Sequence, residues 1–334
     1  MSISRRYAHA LAYRRLRSPS MKKLLVLACW LLGIATCSGH PSSPVPAEFT
    51  GITQWFNSPP LTMAGLRGKV VLVDFWAYSC INCIRAMPHV EHLYETYKDK
   101  GLVVVGVHSP EFDFEQDPAN VRAAMERMRI TYPVAMDNHL DTWRAWHNAF
   151  WPAEYLVDAN GRLIGHHYGE GDYDRMENAI RLLLGMDMST PGPRSDGVAP
   201  GPGDTPELHL GSDSQHGFGN LESGREGVRR FTIPPRLALH HFALGGPWEI
   251  TRECARSMGQ TELHIRFKAA RLYVVASARA PTPLDVQVDG KPQPAVIVQG
   301  SRLYTLFDSH DDAEHVLVLR IRTSDVRVYS VTFG

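Results

Sequence analysis

Apolar positions along the chain change period from one stretch to the next, and the changes outline its elements. Val70-Val71-Leu72-Val73, continuing to Phe75-Trp76, is a short β-branched apolar run, the pattern of a strand buried on both faces. Ile84, Met87, Val90, Tyr94 and Tyr97 then recur at helical spacing, which predicts a strand-to-helix turn between the two runs. Leu102–Val107 repeats the buried-strand pattern. Asp117 is placed to cap a helix with Pro118 at its first position and Val121, Ala124, Met125 and Met128 on its apolar face. A strand around Tyr132–Ala135 and a helix around Leu140–Phe150 are expected next. Glu154–Asp158 and Arg162–Tyr168 read as strands joined by Asn160-Gly161, a two-residue hairpin signal. Tyr173, Met176, Ile180, Leu183 and Leu184 outline a closing helix that stops at Gly185. Parallel strands with helical crossovers and a terminal hairpin make an α/β layer over residues 47–188.

The period then shortens to two. Residues 189–204 are rich in Pro and Gly and lack periodicity, so they read as a linker. In residues 205–334, Leu263, Ile265 and Phe267 alternate with polar residues. Strands are expected at Arg271–Ala276, Leu284–Val288, Arg302–Phe307, His315–Ile321 and Val326–Phe333, with Asp289-Gly290 as a tight turn. The expected fold is an antiparallel β-sandwich of jelly-roll type. At the other end, Met21-Lys22-Lys23 and the apolar run Leu24 to Thr36 resemble a secretory signal peptide. Residues 1–37 are therefore assigned to a leader, with Met21 as an alternative start. The run falls short of the about 20 apolar residues a membrane span needs. Cys37 is a lipidation candidate; ordinary cleavage near Ser38–His40 is the alternative. Both place the mature protein in the periplasm or an equivalent extracytoplasmic compartment, the first with a lipid anchor.

Composition narrows the function. The 334 residues predict about two domains. A net charge of zero without a basic stripe argues against a nucleic-acid partner. Of the five cysteines, Cys29 and Cys37 fall in the leader, which leaves Cys80, Cys83 and Cys254. That is too few for a disulfide-stabilised secreted scaffold, so the paired cysteines point to activity. Cys254 is expected as a small buried apolar residue.

Cys80 and Cys83 straddle the first strand-to-helix turn. There the first thiol meets the free N–H groups and positive end of a helix, which favour thiolate. The second thiol lies one turn on, within reach to close a disulfide. A zinc half-site is disfavoured because closed structural sites take four ligands and no second such pair occurs. A structural bridge across two residues would constrain little of the unfolded chain. Thiol–disulfide exchange is the expected chemistry, with Cys80 attacking and Cys83 resolving the mixed disulfide. Asp74, on the buried strand before the motif, is expected to have a raised pKa and to take the proton of Cys83. His166-His167 and His240-His241 are adjacent pairs whose members point to opposite faces of a strand, so neither chelates alone. No metal and no cofactor are expected; one histidine joining the cysteines on copper is the alternative. The glycines from Gly165 to Gly171 lack the setting of a dinucleotide loop.

Val73-Asp74-Phe75-Trp76-Ala77 with Cys80, Cys83 and Pro88 resembles the active-site segment of thioredoxin-fold proteins. Tyr78-Ser79-Cys80-Ile81-Asn82-Cys83 is similar to the TlpA/DipZ-like branch of thiol–disulfide oxidoreductases. So are Tyr132-Pro133-Val134-Ala135-Met136-Asp137-Asn138, the segment from Phe150 to Asp158, Gly169-Glu170-Gly171-Asp172-Tyr173 and the segment from Tyr329 to Gly334. The resemblance implies a thioredoxin-like redox domain, a cis proline at Pro152 facing the disulfide, and substrate contacts from Trp76, Tyr78, Trp151 and Pro152. It makes Asp74 the buried acid, while Pro88, which removes one helical hydrogen bond, should kink the active-site helix. It implies a reductase of disulfide-bearing envelope proteins, and the lack of any electron conduit in this chain implies a DsbD/CcdA-like membrane electron donor. A thiol peroxidase of the same fold, or a carbohydrate- or envelope-binding protein with a secondary redox site, are the competing readings. The second domain is expected to be non-catalytic, with Trp248, Tyr273 and Tyr304 either a glycan platform or core residues. Residues 38–190 are expected to fold and act alone.

Overall fold

The apolar runs become the centre of a six-stranded sheet. Its strands are β1 (Gln54–Phe56), β2 (Val70–Trp76), β3 (Leu102–His108), β4 (Val134–Met136), β5 (Ala153–Val157) and β6 (Leu163–Tyr168), in spatial order β1-β4-β3-β2-β5-β6. The computed structural model describes residues 46–187 and 203–334; Met21, Cys29, Cys37 and most of the 189–204 linker lie outside the described residues. β2, β3 and β4 run parallel, and β1, β5 and β6 pair antiparallel. The helices are α1 (Ile81–Tyr97), α2 (Pro118–Met128), α3 (Asp141–Ala145) and α4 (Tyr173–Leu183). α1 continues through Pro88 as one helix.

The alternation of β2 decides what faces the active-site helix. Leu72 and Trp76 pack with Cys83, Met87, Val90 and Leu93 of α1 and with Met176 and Ile180 of α4. Val71, Val73 and Phe75 point the other way, against Trp146 and Tyr155. Asp74 therefore lies on the α1 face. Asp117 caps α2 as expected, accepting the Ala119 N–H at 2.8 Å. The helix expected over Leu140–Phe150 shrinks to five residues. Leu140 and His147 both take left-handed backbone angles, which bound it on either side. The Asp137 carboxylate, accepting from the Thr142 and Trp143 N–H groups, sets its start.

The second half is all β: β7 (Leu208–His209), β8 (Gly227–Phe231), β9 (His241–Ile250), β10 (Ala255–Met258), β11 (Thr261–Lys268), β12 (Arg271–Ser277), β13 (Thr282–Val288), β14 (Lys291–Pro292), β15 (Val296–Val298), β16 (Arg302–Asp308), β17 (Glu314–Ile321) and β18 (Ser324–Phe333). The alternation predicts a jelly-roll of two separate sheets; the pairing is instead one curled antiparallel sheet, β14-β13-β17-β11-β9-β10-β18-β12-β16. β9 joins its halves. His241–Gly245 pairs with β11, while Gly246–Ile250 pairs with β8 and β10. The bend needs Gly246, whose φ is 85° and whose added Cβ would lie 2.7 Å from the Gln260 carbonyl oxygen. Gly245-Gly246-Pro247 reads as a turn in sequence, which hides the strand. Trp248, Tyr273 and Tyr304 are buried, and the Trp248 indole N–H donates to the Gly245 carbonyl at 3.0 Å. They serve the core and offer no exposed platform.

The two halves share an apolar seam. Phe112, with Phe114 in the 3₁₀ turn Asp113–Gln116, packs against Cys254, Val275, Tyr329 and Leu303. Tyr329 lies 5.1 Å from the Phe112 ring and 4.7 Å from that of Phe114. The Asp113 N–H donates to Glu253 across the same seam at 3.1 Å. Among the described residues no helix is long and apolar enough to cross a membrane.

Candidate active site

Cys80 forms the N-cap of α1, with an extended backbone and its Sγ accepting the Cys83 N–H at 3.3 Å. Its thiol is partly exposed, whereas Cys83 is 1% exposed, and both are unpaired. Burial, then the hydrogen bond to Cys80, pushes the Cys83 thiol well above its usual range, and the Asp74 carboxylate adds to the effect. The accessible thiol thus sits at the helix N-terminus, and the buried one keeps its proton until something removes it.

Asp74 is 2% exposed, its Oδ1 lacks a hydrogen-bond partner, and burial pushes its carboxyl up to about 7. It stands in register with Glu154 on β5, which is 4% exposed. Burial, and secondarily the Asp74 charge, pushes Glu154 up to about 8. Reasoning from sequence missed Glu154. A carboxylate inside the apolar run Ala153 to Val157 was the available signal.

Glu115 is a second residue the sequence did not single out. Fully buried, it accepts the Ser79 N–H at 3.1 Å and the Ser79 hydroxyl at 2.8 Å on one oxygen. On the other it accepts the N–H groups of Glu111 at 2.7 Å and Phe112 at 3.2 Å. It therefore ties the residue before Cys80 to the segment that meets the second half. Arg85 of α1 forks onto Glu170 at 3.0 and 2.8 Å, which gives the Gly169-Glu170-Gly171 segment a role in anchoring the helix.

The expected substrate contacts divide. Trp76 and Tyr78 are 0% and 1% exposed, so they are placed beneath the turn and away from a substrate surface. They enclose His108, at ring separations of 5.0 and 5.6 Å, and burial pushes its imidazole down to about 3. The apolar runs around them made strands certain but left unsaid which rings would be covered. Trp151 remains partly exposed, with its indole N–H donating to the Ser109 carbonyl at 3.0 Å. The Trp151–Pro152 bond is cis, and Ala153 opposite Phe75 places Pro152 at the end of the sheet where α1 begins. Its carbonyl accepts the Gly169 N–H at 2.8 Å, so this acceptor is engaged and not open to an incoming strand.

Cys254 is buried in the seam, 3.3 Å from the Thr251 hydroxyl, and burial pushes its thiol up to about 11. Among the described residues one trio of potential metal ligands lies close together, Glu111, Glu207 and His209. Burial lowers the His209 pKa, but Glu207 and then Glu111 push it up to about 9. Burial, then the Glu207 charge, pushes the Glu111 carboxyl well above its usual range, so the charge pairing in this trio is mainly that of His209 with Glu207.

A thiol capping a helix over a buried thiol and a buried carboxyl, at the end of the central parallel strands of a mixed sheet, defines a dithiol redox protein. The chain belongs to the thiol–disulfide oxidoreductase family. Residues 50–180 match the Redoxin family and residues 205–334 the family described as thioredoxin like C-terminal domain. Protein DipZ of Mycobacterium bovis is 38% identical over 304 residues, covering 86% of this chain and 42% of that protein. The thiol-disulfide oxidoreductase YkuV of Bacillus subtilis is 30% identical over 141 residues, 42% of this chain and 94% of YkuV. The thiol-disulfide isomerase of Corynebacterium glutamicum, a solved structure, is 22% identical with a TM-score of 0.38, covering 43% of this chain and 98% of that one. The chain thus spans less than half the length of DipZ.

Proposed function

We propose that the protein reduces disulfides of proteins outside the cytoplasm through the Cys80–Cys83 dithiol. The observation that carries this reading is the pairing of a partly exposed Cys80 at the α1 N-cap with a buried, protonated Cys83 beside Asp74. Cys80 thiolate attacks a substrate disulfide; Cys83, relieved of its proton, then attacks the Cys80 sulfur and releases the reduced substrate. A buried acid suits a dithiol that must lose protons inside the fold. Each turnover leaves the Cys80–Cys83 pair oxidised, and in this reading a DsbD/CcdA-like membrane donor returns it to the dithiol.

Insulin reduction with Cys80→Ser as control tests the activity. Cysteine-dependent turnover is expected, and its absence in the wild type removes the reading. The reduction potential tests the direction: a value near about −270 mV supports a reductant, and one near about −120 mV reverses it. The Cys83→Ser variant should trap a mixed disulfide with a membrane donor; capture of glutathione alone rejects that partner.

A further inference from the structure

Three ionisable side chains lie in one transverse row across the sheet. Asp74 on β2 is the register partner of Glu154 on β5, and Glu154 is the register partner of His167 on β6. Register partners of antiparallel strands project to the same face, with Cβ atoms about 5 Å apart. That face carries α1, because Leu72, Trp76 and Leu156 pack there with Cys83. One end of the row lies by Cys83, whose thiol senses the Asp74 charge. The other lies on β6, the last strand of the sheet, where His167 is half-buried. Two atoms of the row, Asp74 Oδ1 and His167 Nε2, are buried without a hydrogen-bond partner.

We propose that Asp74, Glu154 and His167 form a proton route that carries the proton of Cys83 from beneath α1 to solvent at the β6 edge. The proposal rests on the oxidoreductase reading and adds to it. In the mixed disulfide of Cys80 with a substrate, Cys83 S–H gives its proton to the Asp74 carboxylate. The Cys83 thiolate then bonds to the Cys80 sulfur while the bond from Cys80 to the substrate sulfur breaks. Two electrons pass from the dithiol to the substrate, which leaves as a thiolate and takes a proton from water. Asp74, 2% exposed, cannot pass its proton directly to bulk water, so the proton moves to Glu154, to His167 and out. In the reverse direction the same row returns a proton when the disulfide is re-reduced. Neither Glu154 nor His167 touches a sulfur; both act through Asp74.

Burial pushes the two carboxyls up to about 7 and about 8, so near neutrality they exchange a proton at little cost. The other ionisable groups on the elements over this face include Cys80 at the N-cap of α1, Arg85, His89 and Glu91 within it, Tyr132 before β4, His108 of β3, and Tyr173, Asp174 and Glu177 of α4. Arg85 is committed to Glu170, and the His89 imidazole is pushed down to about 4, chiefly by burial.

Reaction of the full reduced chain with 5,5′-dithiobis(2-nitrobenzoate) separates the steps. A first release of chromophore reports attack by Cys80, and a second reports resolution by Cys83. Each second-phase rate is read relative to the first phase of the same variant. Asp74→Asn should abolish the acid limb of the second phase. Glu154→Gln, nearly isosteric, should slow the second phase by about tenfold and leave the limb in place, because the partner that takes the Asp74 proton onward is gone while Asp74 keeps its burial. His167→Ala should slow the second phase by about tenfold or more, and added imidazole should restore it. Rescue by a small molecule cannot come from a merely misfolded variant. An undiminished second phase in Glu154→Gln, or a His167→Ala rate that is undiminished or not rescued, overturns the route while leaving the oxidoreductase reading intact. A wild type with no Cys80-dependent first phase overturns that reading instead.

Discussion

Asp74 shows how one buried carboxyl trades stability for chemistry. Its folded pKa of about 7 exceeds the ordinary aspartate value of 3.8, so the folded state binds the proton more tightly than the unfolded state. The stabilisation from that proton is complete below about pH 4 and is lost as pH rises through about 7. At about 1.4 kcal/mol per unit, the loss is on the order of 4 kcal/mol for a fully buried group. Asp74→Asn should therefore be more stable than the wild type in the reduced form, by a margin that grows between about pH 4 and 7 and then levels. Urea unfolding at about pH 5 and about pH 8 reads this margin; equal stabilities at the higher pH would contradict the assigned environment.

At the scale of elements, α1 is held at its first turn from two sides. Glu115 gathers four donors from Ser79, Glu111 and Phe112, so Glu115→Ala leaves buried N–H and O–H groups unpaired. Each such group costs about 1–3 kcal/mol. The variant should unfold at lower denaturant, and its Cys80 should alkylate at a changed rate, because Ser79 directly precedes the thiol. The Arg85–Glu170 pair has side chains 9% and 7% exposed. Removing one partner of such a pair strands a buried charge, at about 3–5 kcal/mol. Glu170→Ala should lose stability on that scale, measured by equilibrium unfolding, and far more than an alanine replacing Glu314 in the largely exposed pair with Arg266.

In the whole molecule the seam matters more than the linker. Phe112 and Phe114 leave the redox half beside the segment that holds Ser79, and Tyr329 and Cys254 cover them from the β half. Tyr329→Ala should cost about 3–5 kcal/mol, the range for a buried aromatic, and should also alter Cys80 alkylation through Glu115. A loss of stability with unaltered alkylation would show that the seam is only packing. Residues 38–190 alone expose both phenylalanines. The autonomy expected of that fragment from its strand and helix pattern should therefore come with lower stability than the full chain, by the same unfolding measurement.

What the sequence by itself determined follows from local rules. The buried strand before Cys80, the helical spacing from Ile84 to Tyr97, the Asp117 cap and the Asn160-Gly161 turn each act over a few residues, so the redox half and its two thiols were legible. Asp74 was legible because it interrupts an apolar strand just ahead of the motif. Tertiary structure decided the rest. Register across β2, β5 and β6 brings Asp74, Glu154 and His167 together from distant positions. The β9 bend at Gly246 makes one curled sheet where alternation suggests two. Trp76 and Tyr78 are covered by the helix and loop that pack on them, which no period in their own strand encodes. Glu115 meets Ser79 only when the redox half folds, and Tyr329 reaches Phe112 and Phe114 only once the two halves have closed on each other, because burial and pairing between remote segments are properties of the packed chain.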